Sequence, residues 1–177
     1  LNTYPVPVKT VVQSKQLGTF HALSCAKSEV TADRLLIVPG DNYVNAESIR
    51  ALIREENGAL VAPHKRPWDY GVITQKEGIL CSTNMHAHDV PSGSLVETGA
   101  YILGKKLYEA FFEIDEPDKI VNDMPYTGHN VKVVEAKGWY DADCFTDLLE
   151  LNRYLLGKQK SIIRGSVDQR AVIRGHV

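Results

Sequence analysis

The apolar positions of the chain change period along its length, and each change predicts an element. Residues 10–13 (TVVQ) are β-branched and apolar and predict a short strand. Gly18-Thr19 interrupts, and residues 20–26 read as a helix. Residues 34–38 (RLLIV) form a continuous apolar run closed by Pro39-Gly40, the pattern of a strand buried on both faces in a parallel sheet. Asn45 is placed to cap a helix from Ala46 to about Asn57, with Ile49, Leu52 and Ile53 as its apolar stripe and Gly58 as a left-handed stop. Residues 59–62 (ALVA) are the next strand, so strand, helix and strand follow as a βαβ unit.

Downstream, residues 70–74 and 78–82 predict a hairpin around residues 75–77. Residues 99–103 and 131–135 predict strands, and residues 107–112 a short helix. Residues 146–156 predict a helix whose broad apolar face is Leu148, Leu149, Leu151, Leu155 and Leu156, with Gly157 as its stop. The tail behaves differently. Ile163-Arg164-Gly165-Ser166-Val167 recurs as Ile173-Arg174-Gly175-His176-Val177, and an apolar-x-Gly-x-apolar repeat predicts the first rungs of a β-helix. An irregular basic tail is the other reading of the same residues.

Composition narrows the function classes. The 177 residues are 44% hydrophobic and 24% charged, enough for a domain with a sizeable core. A net charge of -2 gives no general affinity for polyanions, so nucleic acid is not the expected partner. The apolar runs are too short to span a bilayer and no signal peptide is visible, so the expected compartment is the cytoplasm, without a membrane partner. Cys25, Cys81 and Cys144 are odd in number and far apart, which predicts free thiols. Cys25 and Cys81 are expected as small buried residues.

Several residues could carry chemistry. Asp41 follows a strand and a glycine, and the carboxyl end of a strand in an open α/β sheet is where ligands sit. A carboxylate there can hold Mg²⁺ against phosphate oxygens. Gly-Asp-Asn is equally ordinary turn chemistry. Asp141, between a strand and a helix, is its candidate metal partner, or a first-turn charge favoured by the helix dipole. Residues 13–19 (QSKQLGT) join a strand end to a glycine turn; the Gln13 amide can pair with a base edge, and Gly18 admits close backbone approach. His86-Ala87-His88-Asp89 has loose metal-ligand spacing and reads better as a solvated loop.

In order along the chain these segments resemble one family. Residues 13–23 (QSKQLGTFHAL) resemble the "Q…LGTAHAL" segment of sugar-1-phosphate nucleotidyltransferases, and residues 36–42 resemble their "…GDN" strand end. Tyr70-Gly71-Val72 is similar to "YGVV", and Thr98-Gly99-Ala100-Tyr101 to "NTGIY". Trp139-Tyr140-Asp141 with residues 147–152 (DLLELN) resembles "WxD…DLLEAN". The tail is similar to the left-handed β-helix that often follows. The nearest type is the glucose-1-phosphate thymidylyl- or uridylyltransferase group.

The resemblance implies an α/β domain with a Rossmann-like, mixed or parallel sheet flanked by helices over residues 1–157, then a linker and β-helix rungs over residues 158–177. It implies transfer of a nucleotidyl group from a nucleoside triphosphate to a sugar-1-phosphate, with Mg²⁺ as cofactor and a homo-oligomer as the assembly. It gives Gln13, Leu17, Gly18 and Thr19 to the nucleotide, Tyr70, Gly71, Thr98 and Gly99 to the sugar, and Asp41 and Asp141 to catalysis and metal. Two departures carry expectations of their own. No glycine-rich "GxGTR…PK" loop precedes Val11, about eighty residues of the usual domain by analogy, so the chain taken alone is expected to be inactive or very weak. The family's "EKP" segment, whose Glu binds sugar hydroxyls, falls near residues 84–88, which here are Asn-Met-His-Ala-His. A non-catalytic, sugar-nucleotide-binding regulatory subunit or an assembly domain is the alternative that these departures favour.

Overall fold

A computed structural model describes residues 6–85, 87–112 and 129–158. Its elements in chain order are α1 (Thr19–Cys25), β1 (Arg34–Ile37), β2 (Asn42–Val44), α2 (Ala46–Leu52), β3 (Gly58–Pro63), β4 (Val72–Lys76), β5 (Ile79–Asn84), β6 (Leu95–Gly104), α3 (Lys105–Phe112), β7 (Lys132–Glu135), β8 (Trp139–Asp141) and α4 (Phe145–Lys158). These residues fall into two units: one holds residues 6–39 and 44–139, the other residues 40–43 and 140–158.

The first unit is built on a six-stranded mixed sheet of order β1-β6-β3-β7-β5-β4. Strand β3 runs parallel to β7 and antiparallel to β6. Alternation along β3 and β6 sends side chains to both faces. Ala59, Val61, Tyr101 and Leu103 join Leu107 and Tyr108 of α3 on one side. Leu60, Ala100 and Ile102 join Leu52 of α2 on the other. A helix thus covers each face, the layered α/β arrangement.

Local chemistry explains several elements. Asn45 caps α2, its side chain accepting from the Ser48 N–H at 2.9 Å. The β4–β5 hairpin turns on Glu77 and Gly78, with φ of 53° and 75°. Two central residues of positive φ suit the twist of a tight hairpin.

The structure corrects several expectations. Residues 10–13 form no strand; no described strand lies beside them, and a strand needs a neighbour to take its backbone hydrogen bonds. Strand β1 is not buried on both faces: it pairs antiparallel with β6 at the sheet edge, and Leu36 is 40% exposed. The βαβ unit is present, but β6 lies between β1 and β3, so the two parallel strands are not neighbours. Helix α2 ends at Leu52, not Asn57, because Arg34 Nη1 donates to the carbonyls of Ile53 and Glu55 and satisfies the helix end early. Gly58 opens β3 and is no stop. Gly157 lies inside α4, a position glycine tolerates at modest cost. Cys81 is exposed on β5, and all three cysteines are free.

In the second unit, Asn42 and Tyr43 of β2 lie alongside Tyr140 and Asp141 of β8, followed by α4. Tyr43, Tyr140 and Tyr154 pack together, with ring centroids 4.5 to 6.4 Å apart. Lys158 Nζ sits 4.1 Å from the Tyr154 ring centroid and donates to its hydroxyl. The β-helix expectation falls on residues 159–177, outside the described residues. No helix among the described residues is long and apolar enough to cross a membrane.

Candidate active site

The two acids sit together in the second unit. Asp41 is exposed and follows Gly40; Asp141 is half-buried at the end of β8. Asn42 Nδ2 donates to Asp41 Oδ1 and to Asp141 Oδ1, each at 3.0 Å. The short pairing of β2 with β8 places one amide nitrogen against the carboxylate next to it in sequence and against another ninety-nine residues away. This donor set is oxygen only, and two carboxylates are what Mg²⁺ takes from a protein when phosphates and waters fill the rest of its shell. The residues therefore fit a hard divalent cation. Among the described residues no cluster of three or more His, Cys, Asp or Glu has metal-site geometry. His88 and Asp89 are exposed, and His86 lies outside the described residues.

In the first unit, Gly18 (φ 92°) turns the chain into α1, whose first residue is Thr19. Gln13 is half-buried beside this turn. Its Nε2 donates to Gly18 O at 3.1 Å and to His21 Nδ1 at 2.8 Å. Both N–H bonds of the amide are thereby engaged, and Gln13 offers a ligand its oxygen alone. Leu17 is 40% exposed on the same turn.

Tyr70, Gly71, Thr98 and Gly99 also belong to the first unit. Tyr70 joins an edge-to-face aromatic cluster with His64 and Trp139, at centroid distances of 4.5 and 5.5 Å. Gly71 O accepts from the Glu97 N–H at 2.9 Å. Thr98 and Gly99 lie in a bulge of β6, since Tyr101 faces Ala59 while Glu97 faces Val61. Thr98 is 3% exposed, and its hydroxyl donates to Leu60 O at 2.9 Å. Gly99 has φ 73°, and a Cβ there would sit 2.7 Å from Pro39 Cγ.

Two residues of the site carry no role of their own in the sequence pattern. Asn42 stands there only within a Gly-Asp-Asn turn motif, and Glu97 falls outside the strand expected at residues 99–103, although an acid inside Leu95-Val96-Glu97-Thr98-Gly99 is out of place in an apolar run. Burial pushes its carboxyl above the usual carboxylate range, against hydrogen bonding from Tyr101 and Thr83.

No family model matches the chain. It is 25% identical over 177 residues to the bifunctional protein GlmU of Methanocaldococcus jannaschii, covering 96% of this chain and 43% of that protein. It is 26% identical over 190 residues to a glucose-1-phosphate thymidylyltransferase of Streptomyces griseus, covering 98% of this chain and 53% of that protein. The chain thus spans about half the length of these curated relatives. A solved UDP-glucose pyrophosphorylase from Acinetobacter baumannii superposes with a TM-score of 0.71 at 18% identity, over 88% of this chain and 62% of that one, and so has the same fold. Along nearly all of its own length the chain is thus similar to sugar-1-phosphate nucleotidyltransferases, and it shares the fold of one of them.

Proposed function

We propose that this protein contributes to joining a nucleoside triphosphate to a sugar-1-phosphate, giving a nucleotide sugar and pyrophosphate. The observation that carries the reading is the Asp41–Asn42–Asp141 arrangement, two carboxylates brought onto one amide. Family members of this kind generally use divalent metal ions. Here Mg²⁺ is the ion of choice, held by Asp41 and Asp141, and when bound it supplies charge neutralisation on phosphate oxygens.

The protein's own residues orient the reactants. Gln13 accepts from a donor on the base through Oε1, and the Leu17-Gly18-Thr19 turn lies against the base at backbone distance. Tyr70, Gly71 and Gly99 shape the sugar subsite, and buried Thr98 sets the bulge on which Gly99 stands. A phosphate oxygen of the sugar-1-phosphate attacks the α-phosphorus of the triphosphate; the new P–O bond forms as the bond to pyrophosphate breaks. No side chain becomes covalently attached, so positioning and charge supply the rate. The proposed compartment is the cytoplasm, and a homo-oligomer is the proposed assembly.

Calorimetric titration with each nucleoside triphosphate, with and without Mg²⁺, tests the reading. Binding that needs Mg²⁺ and disappears in the Asp41→Ala, Asp141→Ala double variant supports it. Binding indifferent to Mg²⁺ and to both acids would overturn it.

A further inference from the structure

Helix α4 has 14 residues, and none of them is buried. One side packs through Tyr154 against Tyr43 and Tyr140. The opposite side carries large apolar residues at helical spacing and leaves them in the open. Phe145 is 75% exposed, Leu148 50%, Leu149 48% and Leu156 37%. A helix of this length is marginal in water on its own hydrogen bonds and draws its stability from packing an apolar face. Four such side chains in one stripe exceed the scattered exposure that is normal on a surface.

The polar residues on and beside the stripe identify what fits it. Asn152 stands in its middle, one turn from Leu148 and one turn from Leu156. Glu150 and Arg153 are both exposed and flank the stripe on the same side. Two copies of α4 packed antiparallel are related by a two-fold axis, so every contact occurs twice. With the axis near Asn152, Leu148 meets Leu156 of the partner subunit, and Glu150 meets Arg153 of the partner subunit. The two Asn152 amides meet each other, and an amide carries both a donor and an acceptor. A single Asn in an apolar seam fixes register at a cost in stability. A parallel pair would set Glu150 and Arg153 against the other flank, that of Leu151 and Leu155, and form neither ion pair.

We propose that α4 is a homodimer interface, at which two copies of this chain pack their α4 helices antiparallel about Asn152 with reciprocal Glu150–Arg153 ion pairs. Charge complementarity selects a second copy as the occupant of the stripe. The proposal rests on the homo-oligomer of the functional reading and names its surface. A four-turn seam covers less than the roughly 800 Å² per partner of a standard interface, so association is reversible, with a Kd on the order of 1–100 µM.

Sedimentation equilibrium of the 177-residue chain, from about 1 µM to about 1 mM, is the test. The wild type is expected to pass from monomer to dimer over that range. Leu149→Glu places a charge in the seam and is expected to weaken association about tenfold or more. Glu150→Lys and Arg153→Glu each bring like charges together and are expected to weaken it about threefold to tenfold. An equimolar mixture of these two variants restores opposite charges and should associate within about twofold of wild type. A helix that needs Glu150 and Arg153 only for its own stability gains nothing from the mixing. A wild type that stays monomeric throughout overturns the proposal, and the stripe then belongs to a contact within the chain. A dimer indifferent to Leu149→Glu, or a mixture no tighter than its components, overturns it as well. Should Leu149→Glu fail to fold, the mixture decides, since both of its substitutions lie at exposed positions. Mg²⁺-dependent triphosphate binding on the same samples separates the two readings. If it persists in a chain that stays monomeric, the interface alone fails; if it is absent from a chain that dimerises, the nucleotide reading alone fails.

Discussion

Asn42 Nδ2 lies 3.0 Å from Asp141 Oδ1 and also 3.0 Å from Asp41 Oδ1. One amide thus does for the two acids what a cation would do more strongly: it holds negative oxygens from two distant segments in one place. An outer partner that orients ligating carboxylates typically changes metal affinity by about 10–100-fold when removed. Asn42→Ala is therefore expected to weaken Mg²⁺-dependent triphosphate binding by about that factor. Binding measured in chelator should not change. Equal Mg²⁺ titration curves for variant and wild type would show that Asn42 serves only the strand pair.

The buried carboxyl of Glu97 makes a prediction about pH. Burial raises it above its unfolded value, and the Tyr101 hydroxyl and Thr83 oppose this in part. Between the unfolded and the folded value, the native state binds more protons, so stability falls as pH rises through that window and levels off above it. Glu97→Gln cannot ionise and lacks this slope. Urea denaturation at a series of pH values should show the variant flatter than wild type across the window, and more stable above it. A wild type whose stability rises with pH there, relative to the variant, would refute the assignment.

Gly99 and Gly78 separate two costs of adding a methyl group. Both have positive φ, 73° and 75°. A Cβ at Gly99 would lie 2.7 Å from Pro39 Cγ, whereas nothing lies within 4 Å of one at Gly78. Gly78→Ala is expected to cost about 1–2 kcal/mol, from backbone strain alone. Gly99→Ala adds a steric clash and is expected to cost about 2–4 kcal/mol. Thermal or denaturant unfolding of the pair reads the difference directly, and equal losses would mean that Pro39 yields freely.

What could be read in the sequence was what local chemistry decides. The Asn45 cap, the hairpin about residues 75–77 and the apolar runs of β3 and β6 all rest on neighbours in sequence. What could not be read depends on partners far along the chain. Arg34 shortens α2 from nineteen residues away, and β6 enters between β1 and β3 from sixty residues downstream. The candidate site divides in the same way. Asp41 and Asp141 stand out as acids at strand ends. The amide joining them exists only once β2 meets β8, which no spacing in the sequence announces. Glu97 is the intermediate case: an acid in an apolar strand is visible, but its place over Gly71 is not.

Gln13 offers the sharpest distinction between hydrogen-bond donation and acceptance. Its two N–H bonds go to Gly18 O and His21 Nδ1, which ties the glycine turn to α1. Its oxygen remains for a base. Gln13→Glu keeps an acceptor but sets a carboxylate against a carbonyl oxygen, so the turn should loosen and triphosphate affinity fall by about tenfold. Gln13→Leu keeps the bulk and removes both functions, and should fall further, by about a hundredfold. Binding of inorganic triphosphate with Mg²⁺, which has no base, should be equal in wild type and Gln13→Leu. Equal losses for triphosphate with and without a base would place Gln13 in the structure of the turn and not in recognition of the base.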